Sequence, residues 1–157
     1  MKIVINNQYG GFGLSNKAIK RLAELQGREC YFFSYSVPPT KYELIQYENL
    51  PNNSFAFITA FDIPNPNEML YPLNWNTLTL EEKQEYNKRY DIHSFNVRDM
   101  DRHDPLLIQL VEELGEEVNT RYSNLQIIEI PDDADYVIEE YYGLENIAEK
   151  CRKWYAK

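Results

Sequence analysis

Met1-Lys2-Ile3-Val4-Ile5-Asn6-Asn7-Gln8-Tyr9-Gly10-Gly11-Phe12-Gly13-Leu14-Ser15 opens the chain, and an amphipathic segment follows at once. Lys2 to Asn6 reads as a buried strand, because the apolar run Ile3-Val4-Ile5 is short and β-branched. Ser15 to Gln26 reads as a helix. Ala18, Leu22 and Leu25 share one face, Ser15 is a suitable N-cap, and Gly27 supplies a stop. Between strand and helix, Gly10, Gly11 and Gly13 place three of the six glycines in four positions. Two readings of this loop stand side by side. In one, the glycines and the unpaired first N–H groups of the helix cradle an anion, with Tyr9 and Phe12 stacking on a base. In the other, the loop is a tight strand-to-helix turn with Phe12 tucked into the core. The spacing is neither the G-x-G-x-x-G dinucleotide fingerprint nor a Walker loop.

Working outward, Cys30 to Tyr35 reads as a second strand, so the start resembles a strand–helix–strand unit with a right-handed crossover and parallel pairing. Tyr42 to Tyr47 and Phe55 to Thr59 are shorter strand candidates around a turn at Pro51-Asn52-Asn53. Thr79 to Tyr90 is a charged helix with Thr79 and Glu82 as a capping box. With the irregular stretch before it, the region 62–92 reads as an insertion or a lid on the compact body. Asp104 caps the strongest helix, with Pro105 in its first turn and Leu107, Leu110, Val111 and Leu114 on its apolar face. Leu125 to Ile130 and Tyr136 to Tyr141 read as a hairpin, and Glu145 to Trp154 as a closing helix, with Trp154 and Tyr155 docking it. The expected fold is α/β or α+β: a single domain over 1–157, with a mixed β-sheet, the strand–glycine loop–helix start and two further helices packed on the sheet.

A chain of 157 residues is long enough for a core of its own. Its net charge of −9 argues against long DNA or RNA, which needs many basic phosphate contacts, but leaves room for a small anion held by one or two arginines. The 13 tyrosines suit wet pockets and subunit interfaces, having a flat apolar face and a polar tip. Cys30 and Cys151 form no paired motif, so free thiols in a reducing cytosol are expected, and no stretch approaches a membrane span. Nothing in the pattern calls for a cofactor.

Arg98 and Arg102 lie just before the strong helix, with Phe95 close by in sequence as a further stacking face. A planar guanidinium fork matches phosphate oxygens. The competing reading is local, with Asp99, Asp101 and Asp104 pairing with both arginines to order the loop. Those aspartates and His103 match no metal-ligand spacing, so no metal site is expected. His93, His103 and Glu139 are the candidates for acid–base work, and no serine or cysteine motif nominates a nucleophile beside them.

The opening to Ser15 resembles a family of small phage and prophage proteins. The resemblance continues in Arg102-His103-Asp104-Pro105-Leu106-Leu107-Ile108-Gln109-Leu110-Val111-Glu112-Glu113-Leu114-Gly115, in Leu125-Gln126-Ile127-Ile128-Glu129-Ile130-Pro131-Asp132-Asp133, and in the closing segment through Trp154. It covers both ends and leaves the middle, about 36–95, poorly matched. The chain is similar to phage proteins that sequester the cyclic or modified ADP-ribose signals of TIR-based Thoeris defence, or cyclic nucleotides, without turnover. The resemblance implies a homo-oligomer in the cytoplasm of the bacterial host that takes a small phosphorylated nucleotide. Tyr9 and Phe12 would stack on the base, and Gly10, Gly11 and Gly13 would approach its phosphates. Ser15 would cap the helix behind them, and Phe95, Arg98 and Arg102 would complete the site. A nucleotide-cleaving or nucleotide-modifying enzyme and a protein–protein inhibitor of a host defence enzyme are the alternatives.

Overall fold

The computed structural model describes residues 1–36, 41–51, 58–70, 74–150 and 156. It is a mixed α+β domain. Its described strands are β1 (Lys2–Asn6), β2 (Tyr31–Ser36), β3 (Lys41–Ile45), β4 (Ile58–Phe61), β5 (Leu125–Glu129), β6 (Tyr136–Tyr141) and β7 (Leu144–Glu149). The helices are α1 (Asn16–Leu25), α2 (Pro66–Leu70), α3 (Leu80–His93) and α4 (Pro105–Leu114). Contacts divide the chain into two compact units, one of Met1–Leu22 with Val97–Lys157 and one of Ala23–Asn96. Among the described residues no helix is long and apolar enough to cross a membrane.

The first unit holds two antiparallel pairs, β1 with β5 and β6 with β7. Its core is the buried run Ile3, Val4 and Ile5 with Ala18 and Leu22 of α1, Leu107 and Leu110 of α4, Val118 and Leu125. Asp104 Oδ1 accepts the Leu106 N–H at 2.8 Å, and Gly115, at φ 57°, ends α4 in a conformation that favours glycine. At α1, Ser15 Oγ accepts the Ala18 N–H at 3.1 Å and donates to Glu117 O at 2.7 Å. Arg21 forks onto the two carboxylate oxygens of Glu113 at 2.9 and 3.2 Å, joining α1 to α4.

The second unit is the antiparallel sheet β3-β2-β4, covered by aromatic packing. Phe33, Tyr42, Phe61 and Leu70 are buried together, with Tyr31, Tyr35, Ile63, Met69 and Tyr90 against them. The Tyr42 and Phe61 rings meet edge to face at 5.2 Å, a favoured aromatic geometry. Asn67 closes the outer edge of β3, accepting the Tyr42 N–H and donating to Tyr42 O, both at 2.8 Å. A side-chain amide thus stands where a further strand would bond. The region 62–92, expected as an insertion or lid, supplies α2 and α3 to this unit, and Thr79 caps α3: its Oγ1 accepts the Glu82 N–H and donates to Glu82 Oε1, both at 3.2 Å.

Several expectations are corrected. The parallel β1–β2 crossover and the single mixed sheet give way to three small sheets in which every described pairing is antiparallel. The expected hairpin of 125–130 with 136–141 is absent, because the first strand pairs with β1 and the second with β7. The closing helix over 145–154 is replaced through Glu149 by β7, which Gly143 turns back onto β6. Residues 151–155 lie outside the described ones, as do most of the candidate strand Phe55–Thr59 and Pro38-Pro39.

Asp104→Ala removes the α4 cap and is expected to lower stability by about 1 kcal/mol, read as a shifted urea midpoint at unchanged m-value. The hydrogen bonds from Arg21 and then Gln109 hold the Glu113 carboxyl at about 2, below its ordinary 4.5. A depressed carboxylate stabilises the fold above its unfolded pKa, and that contribution fades as pH falls from about 4.5 to about 2. Carboxyl-carbon NMR titration should give that low midpoint for Glu113, and Arg21→Ala should return it toward 4.5.

Candidate functional site

The loop after β1 is organised by a polar side chain with no exposure. Asn6 is fully buried and uses its backbone donor and both ends of its side-chain amide. Its backbone N–H donates to Glu145 Oε1 at 2.8 Å, and its Nδ2 donates to Gln8 O at 2.8 Å and Gly143 O at 2.7 Å. Its Oδ1 accepts the Asn124 N–H at 2.8 Å. Three chain segments therefore converge on Asn6: the glycine loop, the lead-in to β5 and the β6–β7 turn. A buried amide satisfied on all sides fixes its neighbours, because each lost bond would strand a desolvated group.

Backbone meets backbone at this junction. A Cβ on Gly143 would lie 2.1 Å from Gly11 N and 2.7 Å from Gly10 C, and Gly143 has φ +89°. The Gly10 N–H donates to Tyr142 O at 3.0 Å, and a Cβ on Gly10 would lie 2.7 Å from Tyr122 O. These glycines permit a close approach of the glycine loop to the β6–β7 turn. The Gly143 backbone therefore packs directly against the Gly10–Gly11 peptide.

Arg102 is equally engaged. Its Nη1 and Nη2 donate to Glu145 Oε1 and Oε2 at 2.6 and 3.0 Å, and the two side chains are only 14% and 7% exposed. Its guanidinium lies 3.6 Å from the centre of the Phe12 ring, and its backbone oxygen accepts the Val4 N–H at 2.9 Å. Phe12 is buried beneath it. The stacking and neutralising roles expected of Phe12 and Arg102 are thus taken up inside the protein, in keeping with the reading of the loop as a turn with Phe12 in the core. Ser15 is spent on capping α1 and on Glu117. Gly13 lies against Thr120, and its carbonyl accepts from Ser123 Oγ at 3.0 Å.

The remaining expected residues divide. Phe95 belongs to the Ala23–Asn96 unit, where the Arg28 guanidinium lies 4.1 Å from its ring centre. Arg98 is exposed and has no ion pair among the described residues. Tyr9 stays on the surface, and the structure gives it company that sequence reasoning missed. Tyr9, Tyr122, Tyr141 and Tyr142 are 59%, 48%, 66% and 77% exposed, and the backbone bonds around Gly10 and Gly143 bring their segments to one junction. The Tyr141 and Tyr142 rings meet edge to face at 4.6 Å, and Tyr142 holds φ +50°, uncommon for a bulky side chain. The sequence marks Glu139-Glu140-Tyr141-Tyr142 as a strand end whose carboxylates could meet a ribose or an amine, but not that this segment joins those of Tyr9 and Tyr122.

No protein-family model, curated protein or solved structure matches the chain.

Candidate catalytic groups are placed as follows. His103 Nδ1 contacts Lys2 O at 2.8 Å, and Glu139 accepts from Asn146 Nδ2 at 3.2 Å. In the second unit His93 Nδ1 lies 2.7 Å from Asp62 Oδ1, while Arg28 donates to Asp62 Oδ2 at 3.0 and 3.1 Å. Among the described residues no three His, Cys, Asp or Glu side chains gather to hold a metal ion.

Gly143→Ala should destabilise the protein by more than about 2 kcal/mol, combining an unfavourable φ with a backbone clash. Glu145→Ala should cost about 3 kcal/mol by leaving Arg102 buried without its partner. Thermal and urea unfolding check both, and a fully stable Glu145→Ala protein would show that Arg102 is not held as described.

Proposed function

We propose that this protein is a phage counter-defence protein that binds and sequesters a nucleotide-derived immune signal, of ADP-ribose or cyclic-nucleotide type, without turnover. It would act as a homo-oligomer in the cytoplasm of the bacterial host. The observation that carries this reading is the group of exposed tyrosines, Tyr9, Tyr122, Tyr141 and Tyr142, on segments locked together by Asn6, Gly10 and Gly143. Exposed aromatic rings on a rigid junction favour stacking against a planar base, worth about 1–3 kcal/mol per base. Their scaffold is already ordered by internal hydrogen bonds, so little loop entropy is lost on binding. The N-terminal resemblance to phage proteins supports the same reading.

A second reading is favoured by the Asp62–His93 contact. A carboxylate on Nδ1 orients an imidazole and leaves Nε2 facing other partners, the arrangement used in general acid–base catalysis. An enzyme acting on the same nucleotides would use His93 in that way.

Native mass spectrometry of the protein with cyclic ADP-ribose isomers, ADP-ribose conjugates and cyclic dinucleotides, followed by chromatography of the released ligand, separates the two. Sequestration predicts a retained, unaltered nucleotide on an oligomer. Tyr9→Ser and Tyr141→Ser should each weaken binding about tenfold with no loss of thermal stability. An altered ligand whose conversion stops in His93→Gln would establish the enzyme instead, and no bound species across the panel would overturn both readings.

A further inference from the structure

We infer that the ligand is recognised through its base and sugar, with its phosphates directed to solvent, so that a nucleoside binds about as tightly as its phosphorylated forms. The inference deepens the sequestration reading and rests on it. Phosphate recognition needs unpaired N–H donors or free cations aimed at one place. Among the described residues around the tyrosine junction, several of those groups are already used. The Gly10 N–H is bonded to Tyr142 O, and the Gly143 backbone packs against the Gly10–Gly11 peptide. The Gly143 N–H donates to Glu140 Oε1 at 3.1 Å, so this turn presents a carboxylate where an anion site would present a donor. Arg102 is closed onto Glu145 and Phe12, and the start of α1 is capped by Ser15.

The charge around the rings points the same way. Glu139 and Glu140 immediately precede Tyr141 and are exposed, and the whole chain carries −9. Among the described residues, Arg121 is a cation beside the rings; its guanidinium carbon lies 5.9 Å from the Tyr122 ring centre, and it makes a further interaction of its own. A polyanionic ligand would approach this surface against its field, whereas a neutral base gains ring contact and hydrogen bonds to tyrosine hydroxyls without that repulsion. Salt should therefore have little influence on binding, in contrast to phosphate-anchored recognition.

Isothermal titration calorimetry tests this with adenosine and guanosine, their 5′-mono- and diphosphates, the cyclic ADP-ribose and cyclic dinucleotide panel, and inorganic phosphate. Each is titrated at about 50 mM and about 300 mM NaCl, where screening differs strongly. At least one nucleoside is expected to bind within about threefold of its diphosphate, with less than a twofold change between salt conditions. Inorganic phosphate should not compete, and Tyr141→Ser should weaken nucleoside and diphosphate by the same factor. Tenfold tighter binding of the diphosphate, lost at high salt or in Arg98→Ala or Arg121→Ala, would overturn the inference and leave sequestration standing. Binding of panel nucleotides with none of either nucleoside would do the same. An absence of binding by every compound would remove the sequestration reading with it.

Discussion

The ion pair between Arg102 and Glu145 is the contact on which the rest of the first unit depends. One guanidinium closes on both oxygens of one carboxylate, lies flat on Phe12, and sits on a residue whose carbonyl completes the outer edge of β1. The carboxylate in turn takes the Asn6 N–H. Along β1, alternate residues turn their donors away from β5, and the outward N–H groups of Val4 and Asn6 find Arg102 and Glu145 respectively. An unpaired edge inviting further strand pairing is thereby filled by side chain and loop. Burying two charges has a large desolvation cost that their attraction offsets only when geometry is good and the remaining lone pairs are satisfied. The value of this pair lies in specification: with it formed, β1, β7 and the segment before α4 have one mutual register.

Asn6 and Gly143 translate that register into the shape of the surface. Once Glu145 is fixed on the Asn6 N–H, Gly143 lies two residues away along β7 and its carbonyl meets Asn6 Nδ2. The turn is pressed so close to the glycine loop that a single methyl group at Gly143 has no room. Tyr142, with its positive φ, sits at the tip of the same turn. Tyr142 at φ 50° and Gly143 at φ 89° form the two-residue loop of the β6–β7 hairpin, a turn that favours positive φ at both positions. Here it presents Tyr142 beside Tyr141 at the surface instead of letting either ring fold inward.

Helix boundaries were legible in the sequence because caps are local. Asp104-Pro105, Thr79 with Glu82, and Gly115 each act within a turn of their own position. Strand partners were not, since pairing β1 with β5 joins residues more than a hundred positions apart and no local signal encodes it. The segment after Gly143 shows the same limit from the other side. Leu144, Ile147 and Ala148 repeat at helical spacing among good helix formers, yet the segment is a strand, because pairing with Tyr136–Tyr141 overrides the local pattern. Of the site residues, Tyr9 was readable as an exposed aromatic in a glycine-rich loop. Arg102 looked identical, as sequence, to a phosphate ligand, because its true partner lies 43 residues further along.

The glycine loop carries a more general argument about anion cradles. Glycine permits close approach to a backbone, but it does not specify what approaches. In a phosphate-binding loop the visitor is a ligand and the amides remain open. Here the visitor is the protein's own Gly143, and the Gly10 amide is bonded to Tyr142 O. A strand–glycine loop–helix start can serve a ligand while its amides stay open, and a second glycine elsewhere in the chain can close on it instead. Where one can, the loop becomes a structural joint, and any recognition moves to what the joint displays. In this protein that display is aromatic, exposed and acidic at its flank.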